Sequence, residues 1–260
     1  IMYLKFYNYG QALNLFGNES GKIPLTYYLT QKINTKNDTL IYDNCQEKYI
    51  KFNIYKNRFI PTESIDMMKK IYEFTKKVGS LESKYSSCKN KKEVSDTKSS
   101  EHKYPIINIT YGNIGIKYSK INNNKTNEKK LVLSNCSMGY PIYDNTGLLY
   151  ASSSDNYLIY SNNNEQELKQ LQNYLYTNIL FYLINITKTR QNFFDNKIFS
   201  IIPDITKITK EKDITDDFLI KLFELNKNDL KCLEKYKKSG EGRLSIEKIN
   251  EFKNFYIKNE

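Results

Sequence analysis

The residues best equipped for chemistry in this 260-residue chain are equipped for binding. Lys117, Lys120, Lys125, Lys129 and Lys130 fall in one stretch opposed only by Glu128, with Asn122, Asn123, Asn124 and Asn127 interleaved. Lysine ammonium groups neutralise phosphates, and an asparagine amide can pair with the adenine edge in the major groove of DNA. Ser134, Asn135, Ser137 and Tyr140 make a second polar group, and Arg190, Gln191 and Asn192 a third. Arginine is scarce in this chain, so Arg190 stands out: its guanidinium can donate two parallel hydrogen bonds to guanine O6 and N7. Together these sets describe lysines that hold a phosphate backbone and side chains that reach base edges, the two kinds of contact that a reader of double-stranded DNA needs. The same letters also arise from an AT-rich coding bias, which inflates Lys, Asn, Ile and Tyr alike, and a lysine run of that origin is a solvated loop.

The overall balance points the same way. The formal net charge is +11 and the pI about 9.2, which suits a polyanionic partner. Catalytic and metal chemistry find little to work with. Cys45, Cys88, Cys136 and Cys232 are scattered and the single histidine is His102, so the clustered ligands of a zinc site are missing. Scattered, unpaired cysteines fit a reducing compartment and hence a cytoplasmic protein. Cys136 reads as a partly buried free thiol. Neither Gln46-Glu47-Lys48 nor Glu128-Lys129-Lys130 has the spacing of a metal-dependent nuclease core. Asp216 and Asp217 sit where a helix start explains them. The apolar run Ile179 to Ile186 is interrupted by Asn185 and too short to span a bilayer, so no membrane is expected.

The elements that must position the polar sets can be read from periodicity. Residues 104–110, 115–119, 130–134, 148–150 and 156–160 are short, β-branched or aromatic runs separated by turn signals such as Asp144-Asn145-Thr146-Gly147. Leu168, Leu171, Leu175, Ile179, Tyr182 and Ile186 recur at three or four residues and predict one long helix, capped by Ser161 or a neighbouring Asn. Residues 198–202 read as extended, and three helical stretches follow after 217. Before this block, 1–9, 39–42 and 49–55 read as strands, 22–29 as the start of a short helix behind Pro24, and 65–72 as one helical face. Between 79 and 103 large apolar residues nearly vanish, which predicts a mobile linker. The expectation is therefore an α+β fold, a twisted and mostly antiparallel sheet with a long packing helix and a small helical tail. Its divisions are an N-terminal α/β piece over 1–78, the linker over 79–103, a main domain over 104–208 and the tail over 209–260.

The run from Lys130 to Ile205 carries a resemblance. A strand leads into Ser134-Asn135-Cys136-Ser137-Met138-Gly139, then Tyr140-Pro141-Ile142-Tyr143-Asp144. Ser154-Asp155-Asn156-Tyr157 and a second strand follow, then a helix around Tyr174-Leu175-Tyr176, Arg190-Gln191-Asn192 and Ile201-Ile202-Pro203. This pattern resembles the target-recognition domain of type I and type IIG restriction–modification enzymes, including those of large DNA viruses. The resemblance implies a DNA-recognition module of an adenine-specific methyltransferase or fused restriction enzyme. The cofactor S-adenosylmethionine, and Mg where cleavage is fused, would then belong to an upstream methyltransferase domain, and none to this chain. The chain lacks the Pro-Pro loop on which adenine N6 transfer depends, and the Gly17–Gly21 turn is a weak candidate for a cofactor loop. A start at Ile1 fits a piece of a longer enzyme, with the catalytic motifs upstream. The rival expectation is a non-catalytic viral structural or host-interaction protein whose basic charge is incidental.

Overall fold

A computed structural model describes residues 1–7, 25–30, 38–54, 56–57, 59–86, 93–110, 113–121, 128–135, 140–146, 150–151, 156–160, 164–187, 194–235 and 245–259. The fold is α+β. Its described strands form three four-stranded sheets instead of one. The first contains β1 (Tyr3–Tyr7), β2 (Leu25–Leu29), β3 (Thr39–Asp43) and β4 (Lys48–Phe52) in the order β2-β1-β3-β4. The second combines β5 (Lys84–Ser86), β9 (Lys130–Ser134), β10 (Ile142–Asp144) and β12 (Asn156–Tyr160) as β10-β9-β12-β5. The third contains β6 (Val94–Ser95), β7 (Tyr104–Thr110), β8 (Asn113–Ser119) and β11 (Tyr150–Ala151) as β11-β7-β8-β6. Pairing is mostly antiparallel, with β1/β3 and β7/β11 parallel.

Burial explains the strand pattern. Along β3, Thr39, Ile41 and Asp43 turn inward while Leu40 and Tyr42 turn out, the alternation of a half-buried strand. Every residue of β9 is buried, because this central strand is covered on both faces. The helix α1 (Ile65–Val78) buries Ile65, Met67, Met68, Ile71 and Thr75 on one side. Asp43, 0% exposed, accepts hydrogen bonds from the backbone N–H groups of Cys45, Gln46 and Ile65, so the β3 turn and the first turn of α1 share one carboxylate.

The stripe expected of one long helix is buried as expected, but two helices carry it. α2 (Glu165–Leu175) is capped by Asn164, whose side chain accepts from the N–H groups of Gln166 and Glu167. At Thr177 the hydroxyl donates to Tyr174 O and accepts from Leu180 N, which ends one ladder and starts α3 (Asn178–Ile186). Residues 196–201, in the stretch expected to be extended, form a 3-10 helix whose start is capped by Asp195. Residues 25–29 are a strand, not a helix, since Thr-Tyr-Tyr favours the pleat and β1 supplies a full antiparallel partner.

The linker expectation also meets a correction. Within 79–103, β5 pairs with β12, β6 pairs with β8, Ser80 bridges Pro203, and Leu81 is buried with its N–H on Ile202 O. Edge pairing is made by the backbone, so a polar stretch can join a sheet without apolar side chains of its own. One buried cluster draws Leu4, Ile41 and Phe52, Leu131 and Ile159, Leu180 and Ile202, and Leu219 and Phe223 from the N-terminal piece, the main block and the tail alike. A smaller cluster packs Ile249 and Phe252 of α6 (Ile246–Asn259) on Ile107, Ile109, Val132 and Ile142. The tail is held further by α4 (Asp216–Leu222) and α5 (Lys227–Leu230). Asp229 of α5 is 2% exposed and accepts from Lys70 Nζ of α1 at 2.7 Å and from Asn226 N at 2.8 Å.

Two cysteines read as free thiols are joined. Cys45 and Cys232 form a disulfide with a Cα–Cα distance of 5.8 Å across 187 residues of sequence. Such bonds persist in oxidising compartments, so the inference of a reducing compartment from scattered cysteines loses its basis. Among the described residues, no helix is long and apolar enough to cross a membrane.

Candidate nucleic-acid interface

The structure separates the lysines that were expected to act together. Lys130 begins β9 directly opposite Asp144 of β10, and its Nζ meets Asp144 Oδ2 at 2.7 Å. Both side chains are buried, at 2% and 1% exposure, so Lys130 cannot reach a phosphate. Its place in the phosphate-contacting set is withdrawn. Asp144 Oδ1 accepts from Thr146 N and Oγ1 as well, which leaves both carboxylate oxygens engaged. Ser134, the last residue of the covered strand β9, and Asn135, which follows it, are also buried, at 5% and 6%. Neither is open to a base edge, which corrects their expected role.

Lys117, Lys120 and Lys129 remain at the surface, each in an ion pair. Lys117 pairs with Asp96 at 3.0 Å, Lys120 with Glu101, and Lys129 with Glu165 at 3.3 Å. A hydrogen bond from Lys120 holds the Glu101 carboxyl below its usual range. Hydrogen bonds from Lys169 and then Lys129 do the same for Glu165. Solvent screens exposed pairs of this kind, so a phosphate can replace the carboxylate at little cost. Tyr140 is half-buried, edge-on to Tyr176 with ring centroids 4.7 Å apart, and burial raises its hydroxyl pKa. Packing, not base contact, accounts for that placement. Lys125, Ser137, Arg190 and Asn192, together with Cys136 and the Gly17 turn, lie outside the described residues.

The described residues hold no cluster of three His, Cys, Asp or Glu side chains that could bind a metal. A buried polar trio is centred on Tyr182, whose hydroxyl donates to Glu63 Oε1 at 2.9 Å and lies 2.7 Å from Ser64 Oγ. Burial first, then the Glu63 charge, drives its pKa far above the ordinary phenol range. Ser64 is itself 2% exposed and stands at the start of α1 with φ 50°, so this trio ties α3 to α1 and offers no open nucleophile.

A surface the sequence reading missed lies on the first sheet. Its inner face carries Leu4, Ile41 and Phe52 into the core. Its outer face carries Tyr3, Lys5 and Tyr7 from β1, Leu40 and Tyr42 from β3, Tyr49 and Lys51 from β4, and Tyr27 and Leu29 from β2, so tyrosines and lysines predominate. Tyr27 is 59% exposed and Tyr49 48%. The alternation Tyr-Leu-Lys-Phe-Tyr was visible in the sequence. Which of its two faces points outward depends on strand pairing that the sequence does not display.

No family model matches this chain, and no curated protein or solved structure with significant similarity was found.

Proposed function

We propose that the protein binds nucleic acid and performs no chemistry of its own. The observation that carries this reading is the net charge of +11. Its support in the structure is that Lys117, Lys120 and Lys129 remain at the surface, each in an exchangeable ion pair. The narrower form of the reading is recognition of double-stranded DNA for an adenine-specific methyltransferase or fused restriction enzyme. Its upstream domain would supply S-adenosylmethionine and any Mg. That form is supported by the resemblance over Lys130–Ile205, and burial of Ser134, Asn135 and Lys130 removes three of its contacts.

The second reading, a structural or host-interaction protein with incidental charge, is favoured by one observation. The Cys45–Cys232 disulfide fits an oxidising setting and counts against the cytoplasmic residence that the methyltransferase form entails. Titration of the chain against labelled random-sequence duplex and single-stranded DNA at two salt concentrations tests the proposal. Phosphate neutralisation makes the affinity fall steeply as salt rises. Absence of binding at low salt, or an affinity indifferent to salt, would leave the interaction-protein reading standing alone.

A further inference from the structure

We propose that the outer face of the β2-β1-β3-β4 sheet is a stacking platform for single-stranded nucleic acid. This rests on the nucleic-acid reading above and gives it a base-stacking surface apart from Lys117, Lys120 and Lys129.

The strand register assembles the face. Lys5 is paired with Tyr27 of β2, and Tyr42 of β3 with Tyr49 of β4. The parallel register that sets Leu4 against Ile41 brings Lys5 beside Tyr42, where its Nζ lies 4.2 Å from the ring centroid. A row Tyr27–Lys5–Tyr42–Tyr49 therefore runs across all four strands, about 14 Å at the usual strand spacing. Tyr42 and Tyr49 are braced. Tyr49 sits edge-on to Tyr42 at 5.2 Å and to Tyr3 at 5.7 Å, and Lys5 also reaches the Tyr7 ring at 5.2 Å. Braced aromatic rings lose little side-chain freedom when a base settles on them.

Charge selects the occupant. Among the four strands the only carboxylate is Asp43, and it is buried on the inner face with three backbone N–H groups as donors. The outer face thus combines π-surfaces with Lys5 and Lys51 and no opposing acid within its strands. Every base has a π-face and every nucleotide a phosphate, so aromatic rings interleaved with lysines fit a nucleic-acid strand of any sequence. Base faces are covered in a duplex and reachable in a single strand, which is why the partner is single-stranded. A protein partner would have to bury these lysines, and lysine is depleted in protein interfaces.

The test uses the full chain and a labelled oligothymidylate, with the matching duplex as comparison, followed by fluorescence anisotropy. Tyr27→Ala and Tyr49→Ala are expected to weaken oligothymidylate binding by about 5- to 150-fold each, the range for loss of one base–ring stack. Tyr27→Phe and Tyr49→Phe should retain it, since the ring and not the hydroxyl makes the contact. Lys51→Ala should lower the salt slope, by roughly 0.7 if it neutralises one phosphate. Thermal melts establish that each variant is folded, which exposed positions allow. If the Ala variants bind oligothymidylate like the parent while salt-dependent binding persists, the platform is wrong and the broader function stands. If the parent binds no nucleic acid, both fall. If the Ala variants change only self-association in light scattering, the face is a contact between copies and the platform is overturned.

Discussion

Replacing Lys130 by Met should destabilise the fold without removing any ligand contact. The lysine and Asp144 face each other across β9 and β10, 2.7 Å apart and almost without solvent contact. Removing the cation leaves a carboxylate buried in the sheet, and breaking a buried pair from one side costs about 3–5 kcal/mol. Lys253 tempers this. Burial lowers its pKa, but the Asp144 charge acts in the opposite sense, so a second cation feels the same carboxylate. The lower end of the range is therefore expected. At about 2–4 °C per kcal/mol for a chain of this size, the melting temperature should drop by roughly 6–12 °C. Asp144→Asn alone should also destabilise, and the double variant should lose clearly less than the sum of the two, because neither charge is then left alone. Urea denaturation of the four proteins, followed by circular dichroism, gives the cycle directly. Lys129→Ala, next in sequence but at the surface, provides the contrast and should leave the urea midpoint nearly unchanged. A Lys130→Met protein as stable as the parent would refute the buried pair and return Lys130 to the surface, where it could meet phosphate.

Further outcomes follow from other contacts. Reduction of Cys45–Cys232 should destabilise the chain by up to about 5 kcal/mol, the chain-entropy value for a closed loop of this length; unreduced peptide mapping should recover the linked pair, and melting curves indifferent to reductant would contradict it. Gly79 follows α1 at φ +96° and ψ 158°, a region essentially confined to glycine, and a methyl group added there would meet the flexible end of Lys207, so Gly79→Ala should cost about 1–3 kcal/mol from backbone strain in a denaturant titration. Glu165 has a lowered carboxyl pKa, so its pairs with Lys169 and Lys129 stabilise the fold above the ordinary glutamate pKa and are lost as pH falls through the lowered value. Lys169→Met should bring the NMR-monitored Glu165 titration back towards the ordinary range, and an unchanged titration would mean that the pair does not form in solution.

Local elements were legible because local rules decide them. The strands 104–110, 130–134 and 156–160 emerge with the limits expected from their β-branched and aromatic runs, and an asparagine next to the expected helix start does cap it. The break at Thr177 was hidden because the apolar stripe is continuous across it, and periodicity reports burial more faithfully than it reports an unbroken ladder. Lys130 was misplaced for a sound reason: lysine is seldom buried unless paired, and its partner becomes apparent only once β9 and β10 are aligned. The tyrosine face and the Cys45–Cys232 bond were out of reach for the same cause, since each depends on chain segments brought together from a distance.

The disulfide also imposes an order on biosynthesis. Synthesis proceeds from the N-terminus at about 5–20 residues per second, so the Cys45 thiol waits some ten to forty seconds for the partner 187 residues downstream. During that interval the inner face of the first sheet, with Leu4, Ile41 and Phe52, lacks the tail residues Leu219 and Phe223 that share its core. The emerging chain must therefore carry a reactive sulfur, and a core that lacks its tail contacts, until Cys232 appears. Truncation ahead of Cys232 would make that transient condition permanent, leaving a product prone to aggregate and to cross-link through the stranded cysteine.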